Sequence, residues 1–374
     1  MKVCFLSQDL NLGGGVERVA SIIMNALSNE DWCEIYSLTY AKSDVINGKR
    51  QFEVSETIKK TYLLESHVSM KQAIIHEHII SKARKYLKDN RIDILVACSE
   101  MFFPVAVLAK TRHCKVICWD HTNPLVNSDQ QFQKACRMFG FRRSDANVII
   151  TRSALDIVNG IKPGYKNKNY QIYNPIDPLL IKPHEYNPDS KKIISVGRLD
   201  YSKNFDRLLD IAAILFQHKE AKDWIWDIYG NGVEYDNLIA KRDQLQLQGK
   251  VNFKGQVTNL YDIYSEYSFY VMTSRYEGQP MTLLEAMANG LPLISFDILT
   301  GPNEIIKNGE NGILCKKESN DEMINSILYL INNDGERIRM SNNSDKYNDL
   351  FSIKKIIQEW KKLLLSITYN NEKK

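Results

Sequence analysis

The stretch FYVMTSRYEGQPMTLLEAMANGLPLISFD spans residues 269–297 and contains two apolar runs separated by a helical segment. The runs Phe269–Ser274 and Leu293–Asp297 are short and apolar, which is typical of buried strands. Between them, Pro280 is suited to the first turn of a helix and Asn289-Gly290 to its end. Strand, helix and strand in this order predict a parallel pair joined by a crossover helix.

The same alternation continues along the rest of the chain and pauses once, at residues 174–192, where four prolines interrupt it. It predicts parallel sheets covered by helices on both faces, and the pause predicts a linker. The other predicted strands are Val3–Ser7, Cys33–Thr39, Asp93–Ser99, Val116–Asp120, Asn147–Thr151, Ile193–Gly197, Trp224–Gly230 and Val251–Gly255. We therefore predict an α/β protein with two doubly wound domains, 1–180 and 181–352, a hinge at about 174–190, and a final amphipathic helix and tail over 353–374.

The composition is that of an ordinary soluble globular protein, with 44% hydrophobic and 25% charged residues in 374. No apolar run approaches the roughly 18 residues that a membrane span needs. The seven cysteines show no paired spacing, which predicts reduced thiols in a cytosolic protein and no metal site.

Two loops after predicted strands carry features that suit an anionic ligand, because ligands of open parallel sheets bind beyond the carboxyl ends of the strands. Gly13–Gly15 precede a helix, although a purely structural turn would give the same pattern. Arg198 and Lys203 flank the loop before a helix that Asn204 could cap. Two cations there suit a diphosphate, and ordinary exposed loop charges are the alternative.

Two glutamates eight positions apart, Glu277 and Glu285, lie in the opening stretch. Glu277 stands before the helix, whereas Glu285 lies among its apolar residues, where a carboxylate needs a partner. Since a carboxylate accepts paired hydrogen bonds from adjacent hydroxyls, we expect the two acids to bind a sugar and a ribose. The alternatives are an ordinary loop acid for Glu277 and a solvated helix position for Glu285.

Over nearly its full length the chain resembles family 4 of the retaining glycosyltransferases. The resemblance rests on eight motifs in family order, with the paired glutamates the most specific: GGGVERV, WDHTNP, YNPID, SVGRLDYSKNFDRLL, YGNG, FKGQV, SRYEGQPMTLLEAMANGLPLI and GPNEIIKNGENGIL. It implies the GT-B fold, in which two Rossmann-like domains face each other across a cleft and a C-terminal helix crosses back to the first. Within the family the chain is most similar to bacterial enzymes that build lipopolysaccharide, O-antigen or capsule.

The resemblance implies a role for each matching position. Arg198 and Lys203 would bind the diphosphate of a UDP-sugar and stabilise the leaving group, Glu285 the ribose, and Glu277 the sugar hydroxyls. His121 would face the donor sugar from the N-terminal, acceptor-binding domain. The remaining matches are Gly15 near the phosphate, Gly230, Gly232 and Val257 near the nucleotide, and Glu304 at a helix below the site. Gln279 departs from the family, which often has Phe there, and this departure bears on donor specificity.

The expected reaction is transfer of a hexose or N-acetylhexosamine, with retention, to a lipid-linked glycan in cell-surface polysaccharide biosynthesis. No cofactor or metal is expected, because the chain has no Asp-x-Asp motif. A sugar-nucleotide epimerase of the same fold and a non-catalytic nucleotide-sugar-binding subunit are the alternatives.

The N-terminal half is basic, with 25 Lys and Arg against 18 Asp and Glu through residue 184. A helix predicted over 71–91 places Lys82, Arg84, Lys85 and Lys88 together. This arrangement predicts docking on the anionic inner face of the cell membrane by a cytoplasmic protein, with no nucleic-acid partner. Packing of the helix on the sheet, with its lysines in solvent, is the alternative.

Overall fold

The computed structural model describes residues 1–10, 14–42, 52, 54–75, 77–125, 131–180, 186–257 and 260–369, without the side chains of 71, 74, 75 and 369. The chain divides into two compact units. Unit 1 contains Met1–Pro175 and Ile353–Lys374, and unit 2 contains Ile176–Ser352. The division lies five residues before the domain boundary expected at 180/181, and the final helix belongs to unit 1.

Unit 1 is built on a parallel sheet of seven strands in the order β3-β2-β1-β4-β5-β6-β7. The strands are β1 Lys2–Ser7, β2 Glu34–Ala41, β3 Lys59–Leu64, β4 Ile94–Ala97, β5 Lys115–Asp120, β6 Ala146–Ile149 and β7 Asn169–Gln171. Its helices are α1 Gly15–Ser28, α2 Met70–Ile75, α3 Ile79–Asp89, α4 Phe103–Ala109, α5 Gln131–Arg143, α6 Arg152–Ile161 and, after unit 2, α14 Ile353–Tyr369. Apart from the half-buried first residues of β1 and β5, the central strands β1, β4 and β5 are buried, as expected for a sheet covered on both faces.

Unit 2 contains a second parallel sheet, of six strands in the order β10-β9-β8-β11-β12-β13. The strands are β8 Lys192–Val196, β9 Ile225–Tyr229, β10 Val251–Gly255, β11 Phe269–Met272, β12 Leu293–Asp297 and β13 Gly312–Lys316. The helices are α7 Phe205–Leu215, α8 Tyr235–Gln244, α9 Tyr261–Tyr264, α10 Met281–Ala288, α11 Pro302–Ile305, α12 Asn320–Asn332 and α13 Asp334–Asn348. Two doubly wound parallel sheets confirm the predicted fold class.

Every strand predicted from the sequence is present, and the three that were missed, β3, β7 and β13, all lie at the edge of a sheet. An edge strand is less fully covered, so its sequence need not be a continuous apolar run. β3 begins with two exposed lysines, and β7 has only three residues, all half-buried.

The single helix predicted over 71–91 is wrong. The segment forms two helices, α2 and α3, and His78 between them has a left-handed φ of 49°. The apolar positions of α3, Ile79, Ala83 and Leu87, are buried in the core of unit 1. Three of its basic side chains have partners, because Lys82 pairs with Glu77, Lys85 with Asp89, and Arg84 with the carbonyl of Leu108.

No helix among the described residues is long and apolar enough to cross a bilayer.

Candidate active site

In unit 2 the strand order reverses at β8, which has β9 on one side and β11 on the other. The carboxyl ends of β8 and β11 therefore flank a topological switch point, the usual ligand position in an open parallel sheet. The loop from Gly197 to Asn204 follows β8, and the turn from Thr273 to Pro280 follows β11. These two segments carry Arg198, Lys203 and Glu277.

Lys203 and Glu277 form an ion pair across the switch point. The Lys203 Nζ atom donates to Glu277 Oε1 at 2.6 Å, and the two side chains are 20% and 10% exposed. Ser274 donates its hydroxyl to the same oxygen at 2.7 Å, whereas Oε2 accepts no hydrogen bond from a described residue. The pair therefore fixes an ammonium group beside a carboxylate that retains acceptor capacity, the combination expected for a diphosphate next to a sugar hydroxyl.

Backbone contacts fix the shape of the loop that carries Lys203. Asn204 precedes α7 with a left-handed φ of 58°, and its side chain does not cap the helix as the sequence suggested. Instead, its amide donates to the carbonyl of Thr273 at 3.2 Å. The Arg275 backbone N–H donates to the Ser202 carbonyl at 2.9 Å, and the Arg275 guanidinium lies over the Tyr201 ring at 4.3 Å. The loop and the turn are thus locked together.

Gly230 and Gly232 lie against the backbone of this loop and do not border open space for a ligand. A Cβ on Gly230, whose φ is +138°, would lie 1.8 Å from the carbonyl oxygen of Gly197. A Cβ on Gly232 would lie 2.3 Å from the carbonyl oxygen of Leu199. The close approach that requires glycine is therefore to the chain's own backbone. Their predicted position near the nucleotide stays a prediction.

Arg198 lies in the same loop, but its side chain is 79% exposed and pairs with Asp200 at 3.2 Å. It is therefore not part of the Lys203–Glu277 pair.

Glu285 is a buried residue of α10, only 1% exposed. Tyr264 donates to its Oε2 atom at 3.4 Å. Burial excludes the alternative of a solvated helix position. On the same helix, the Thr282 hydroxyl contacts the Tyr270 hydroxyl at 2.8 Å, and burial raises the pKa of Tyr270 well above its usual value.

In unit 1, Gly15 begins α1, and a Cβ placed there would have no heavy atom within 4 Å. The backbone is therefore open to a close approach at this position. Gly14 precedes it in extended conformation, and Gly13 lies outside the described residues.

His121 directly follows β5 and packs against Trp119, with ring centroids 4.3 Å apart. Part of the residue reaches the surface, but Nε2 is buried and has no hydrogen-bond partner among the described residues. Burial lowers the pKa of the imidazole from 6.5 to about 3, so the ring is neutral at physiological pH. A neutral imidazole can exchange hydrogen bonds with a hydroxyl but adds no positive charge.

A cluster of charged residues beside His121 was not predicted from the sequence. Arg137 of α5 pairs through Nε with Asp120 Oδ2 at 2.8 Å, and both side chains are almost fully buried. Glu100, which follows β4, is 7% exposed, and burial together with the charge of Asp120 raises its pKa. Both acids stand at the carboxyl end of a buried strand, which is the signal that could have identified them.

The remaining predicted residues lie at strand or helix ends in unit 2. Val257 follows β10 and is half-buried, and Glu304 lies in the four-residue helix α11. Gln279 is 6% exposed within the turn of Glu277. The described residues include no group of three His, Cys, Asp or Glu side chains arranged to hold a metal ion.

Comparison with known proteins agrees with this geometry. Residues 178–347 match the family model described as "Glycosyl transferases group 1". The chain is 28% identical to an uncharacterized glycosyltransferase of Haemophilus influenzae, over 97% of this chain and 99% of that protein. It is 26% identical to the amylovoran biosynthesis glycosyltransferase AmsD of Erwinia amylovora, over the same shares. The structure of Anabaena HepE in complex with UDP and glucose matches 98% of this chain and 100% of that one, with 17% identity and a TM-score of 0.82.

The structural match shows a GT-B fold, and the family match covers almost all of unit 2, including both glutamates and the loop of Lys203. Unit 2 is therefore a group 1 glycosyltransferase domain, which confirms the resemblance that the motifs indicated.

Proposed function

We propose that this protein is a retaining glycosyltransferase that moves a hexose or N-acetylhexosamine from a UDP-sugar to a glycan acceptor. The observation that carries the proposal is the Lys203–Glu277 ion pair at the ends of β8 and β11. A cation and a carboxylate adjoin there, at the ligand position of the sheet. HepE, which shares the fold, is described as a complex with UDP and glucose.

In the proposed reaction, the bond between the anomeric carbon and the diphosphate oxygen breaks as the acceptor hydroxyl attacks the same face. The acceptor proton passes to the departing diphosphate, so charge and atoms balance. Negative charge develops on the leaving group, and Lys203 and the exposed Arg198 stabilise it without a metal. Glu277 holds a hydroxyl of the sugar and Glu285 holds the ribose, and we assign neutral His121 to the donor sugar.

We further propose that the acceptor is a lipid-linked glycan of a cell-surface polysaccharide. The relative AmsD is named for the biosynthesis of one such polysaccharide. A lipid-linked acceptor requires the enzyme to work at a membrane surface. The positive charge of residues 1–184 suits peripheral binding to the inner face of the cell membrane from the cytoplasm.

The test is incubation of the purified protein with a panel of UDP-sugars, each with and without lipid-linked acceptors, in EDTA and with added magnesium. We expect UDP release and an elongated lipid with one donor, and the same rate in EDTA. An isomerised donor without acceptor would indicate the epimerase, and UDP binding without turnover would indicate the binding subunit. Loss of transfer in EDTA that magnesium restores would contradict the metal-independent mechanism.

A further inference from the structure

Two tryptophans of unit 1 form a continuous stack of rings that ends at His121. Trp360 of α14 meets Trp119 of β5 edge-on, with ring centroids 4.9 Å apart. Trp119 in turn packs against His121 at 4.3 Å. Phe5 of β1 packs against both tryptophans, and its ring centroid lies 6.4 Å from that of Trp119 and 6.3 Å from that of Trp360.

The stack is rigid because it lies in the core. Trp119 is 1% exposed and Trp360 is fully buried. In a close-packed interior, a ring of this size cannot turn unless its neighbours move. The orientation of the His121 imidazole therefore depends on Trp119, and that of Trp119 depends on Trp360.

Three nitrogen atoms of the stack are buried without a hydrogen-bond partner among the described residues. They are Nε1 of Trp119, Nε1 of Trp360 and Nε2 of His121. An unpaired N–H in the core destabilises the folded state, so a cluster selected only for stability would use phenylalanine or leucine here. The indoles are therefore better explained by their shape and rigidity at this position.

We propose that Trp360 is a positioning residue, which acts from the C-terminal helix through Trp119 to orient the imidazole of His121 toward the donor sugar. This inference rests on the proposed function, because it takes His121 as a residue that contacts the donor. It gives α14 a role in the transfer reaction in addition to covering the sheet of unit 1.

The first test follows the His121 ring by NMR titration and does not depend on activity. Trp360→Leu should open the stack to water and raise the pKa of His121 by about one unit or more from its value near 3, because desolvation holds it down. Trp360→Phe retains a ring and should shift the pKa of His121 less. Ile367→Ala is the control, since it removes buried volume from the same helix, two turns and about 10 Å from Trp360. An unchanged titration in folded Trp360→Leu would overturn the proposal.

The second test measures transfer below the melting temperature of every variant. Trp360→Leu should lower kcat about 10-fold or more with little change in the KM for the UDP-sugar, because misplacement of a contacting group slows the reaction step. In a His121→Ala background the same substitution should have no further effect, since residues that act through one another are not additive. An equal loss in both backgrounds would show that Trp360 acts elsewhere and would overturn the proposal. If His121→Ala alone leaves transfer intact, the role of His121 in the proposed function fails, and the titration still decides whether Trp360 orients the ring.

Discussion

The ion pair between Lys203 and Glu277 fixes the Lys203 ammonium group beside the Glu277 carboxylate, at the carboxyl ends of β8 and β11. The stem of Lys203 reaches this place by crossing Gly197, where a Cβ would lie 3.1 Å from Cγ of the lysine. Its position thus depends on a glycine that the cation motif alone did not identify. The paired residues are 74 positions apart, so periodicity could not predict the contact. The family motifs could, because they assign both residues to one donor.

Lys203→Ala should lower turnover about 10²-fold, the loss typical of removing one group that stabilises developing charge, and should weaken UDP binding. The matched control is Lys192→Ala, which removes a more exposed lysine, paired with Glu266 at 3.0 Å, from the other end of β8. Steady-state kinetics and calorimetry check both variants. Normal turnover in Lys203→Ala would remove this residue from the site.

Glu277→Ala should reduce transfer while UDP affinity changes little, because we assign Glu277 to the sugar. Glu285→Ala should weaken the binding of UDP itself, although loss of a buried partner of Tyr264 also destabilises the fold. Calorimetry with UDP on both folded variants separates the two roles. The reverse pattern of affinities would contradict our assignment of the two acids.

His121 should make the stability of the protein fall in mild acid. Its pKa is near 3 when folded and near 6.5 when unfolded, so between these values the unfolded state binds more protons. The contribution of His121 to the free energy of unfolding is therefore fully present above pH 6.5 and is lost as the pH falls. The loss reaches about 2 kcal/mol at pH 5. Urea unfolding at pH 7 and pH 5 should show this loss in the wild type and in the control His218→Asn, an exposed histidine, but not in His121→Asn.

The loop between β8 and α7 takes its shape from contacts between main chains. Gly230 and Gly232 press against the carbonyls of Gly197 and Leu199, and Arg275 joins the loop to the turn after β11. The family resemblance implies that these glycines lie near the nucleotide, but in a sequence a glycine that contacts a ligand has the same pattern as one that contacts another strand end. Only the strand order, which puts β9 beside β8, distinguishes the two.

Gly230→Ala should destabilise unit 2 by more than about 1 kcal/mol, because the native φ of +138° and the close carbonyl both exclude a side chain. Gly335→Ala in α13 is the control, since a Cβ there has no neighbour within 4 Å and alanine favours a helix. Urea unfolding measures both. Equal free energies of unfolding for the two variants would mean that the loop accommodates the methyl group without destabilising unit 2.

Buried strands were predictable because both faces of each sheet are covered, which leaves near-continuous apolar runs in the sequence. The edge strands β3, β7 and β13 lack that signal. The break at His78 was not predictable either, since residues 71–91 keep helical spacing across it. Residues of both α2 and α3 pack in the core of unit 1, and this tertiary packing outweighs the helical spacing that continues across His78.

The net charge of the whole chain is only +4, but it is unevenly distributed, because residues 1–184 have seven more Lys and Arg than Asp and Glu and the remaining residues have three fewer. Because Lys82 and Lys85 of α3 pair with neighbouring acids, this helix offers a membrane less charge than its sequence suggests. Exposed pairs of this kind are weak, so an anionic surface can still compete for the lysines.

Co-sedimentation with vesicles tests the proposed membrane binding. The protein should bind vesicles that contain anionic lipid and be released by high salt, because screening weakens the attraction. Changing Lys82, Arg84, Lys85 and Lys88 to serine should reduce binding, whereas a matched set of serines at Lys219, Lys222, Lys316 and Lys317 of unit 2 should not. Equal binding to neutral vesicles, or none to anionic ones, would rule out electrostatic docking.

Helix α14 belongs to unit 1 although it follows unit 2 in the chain, and this order matters during synthesis. At the usual rate of translation, residues 176–352 take roughly 10 to 35 s to make. Throughout that interval Phe5 and Trp119 lack the helix that contacts them in the finished protein. The nascent first domain is therefore held on the ribosome with an uncovered aromatic face, the kind of exposed apolar surface that promotes aggregation, until α14 is translated and covers it.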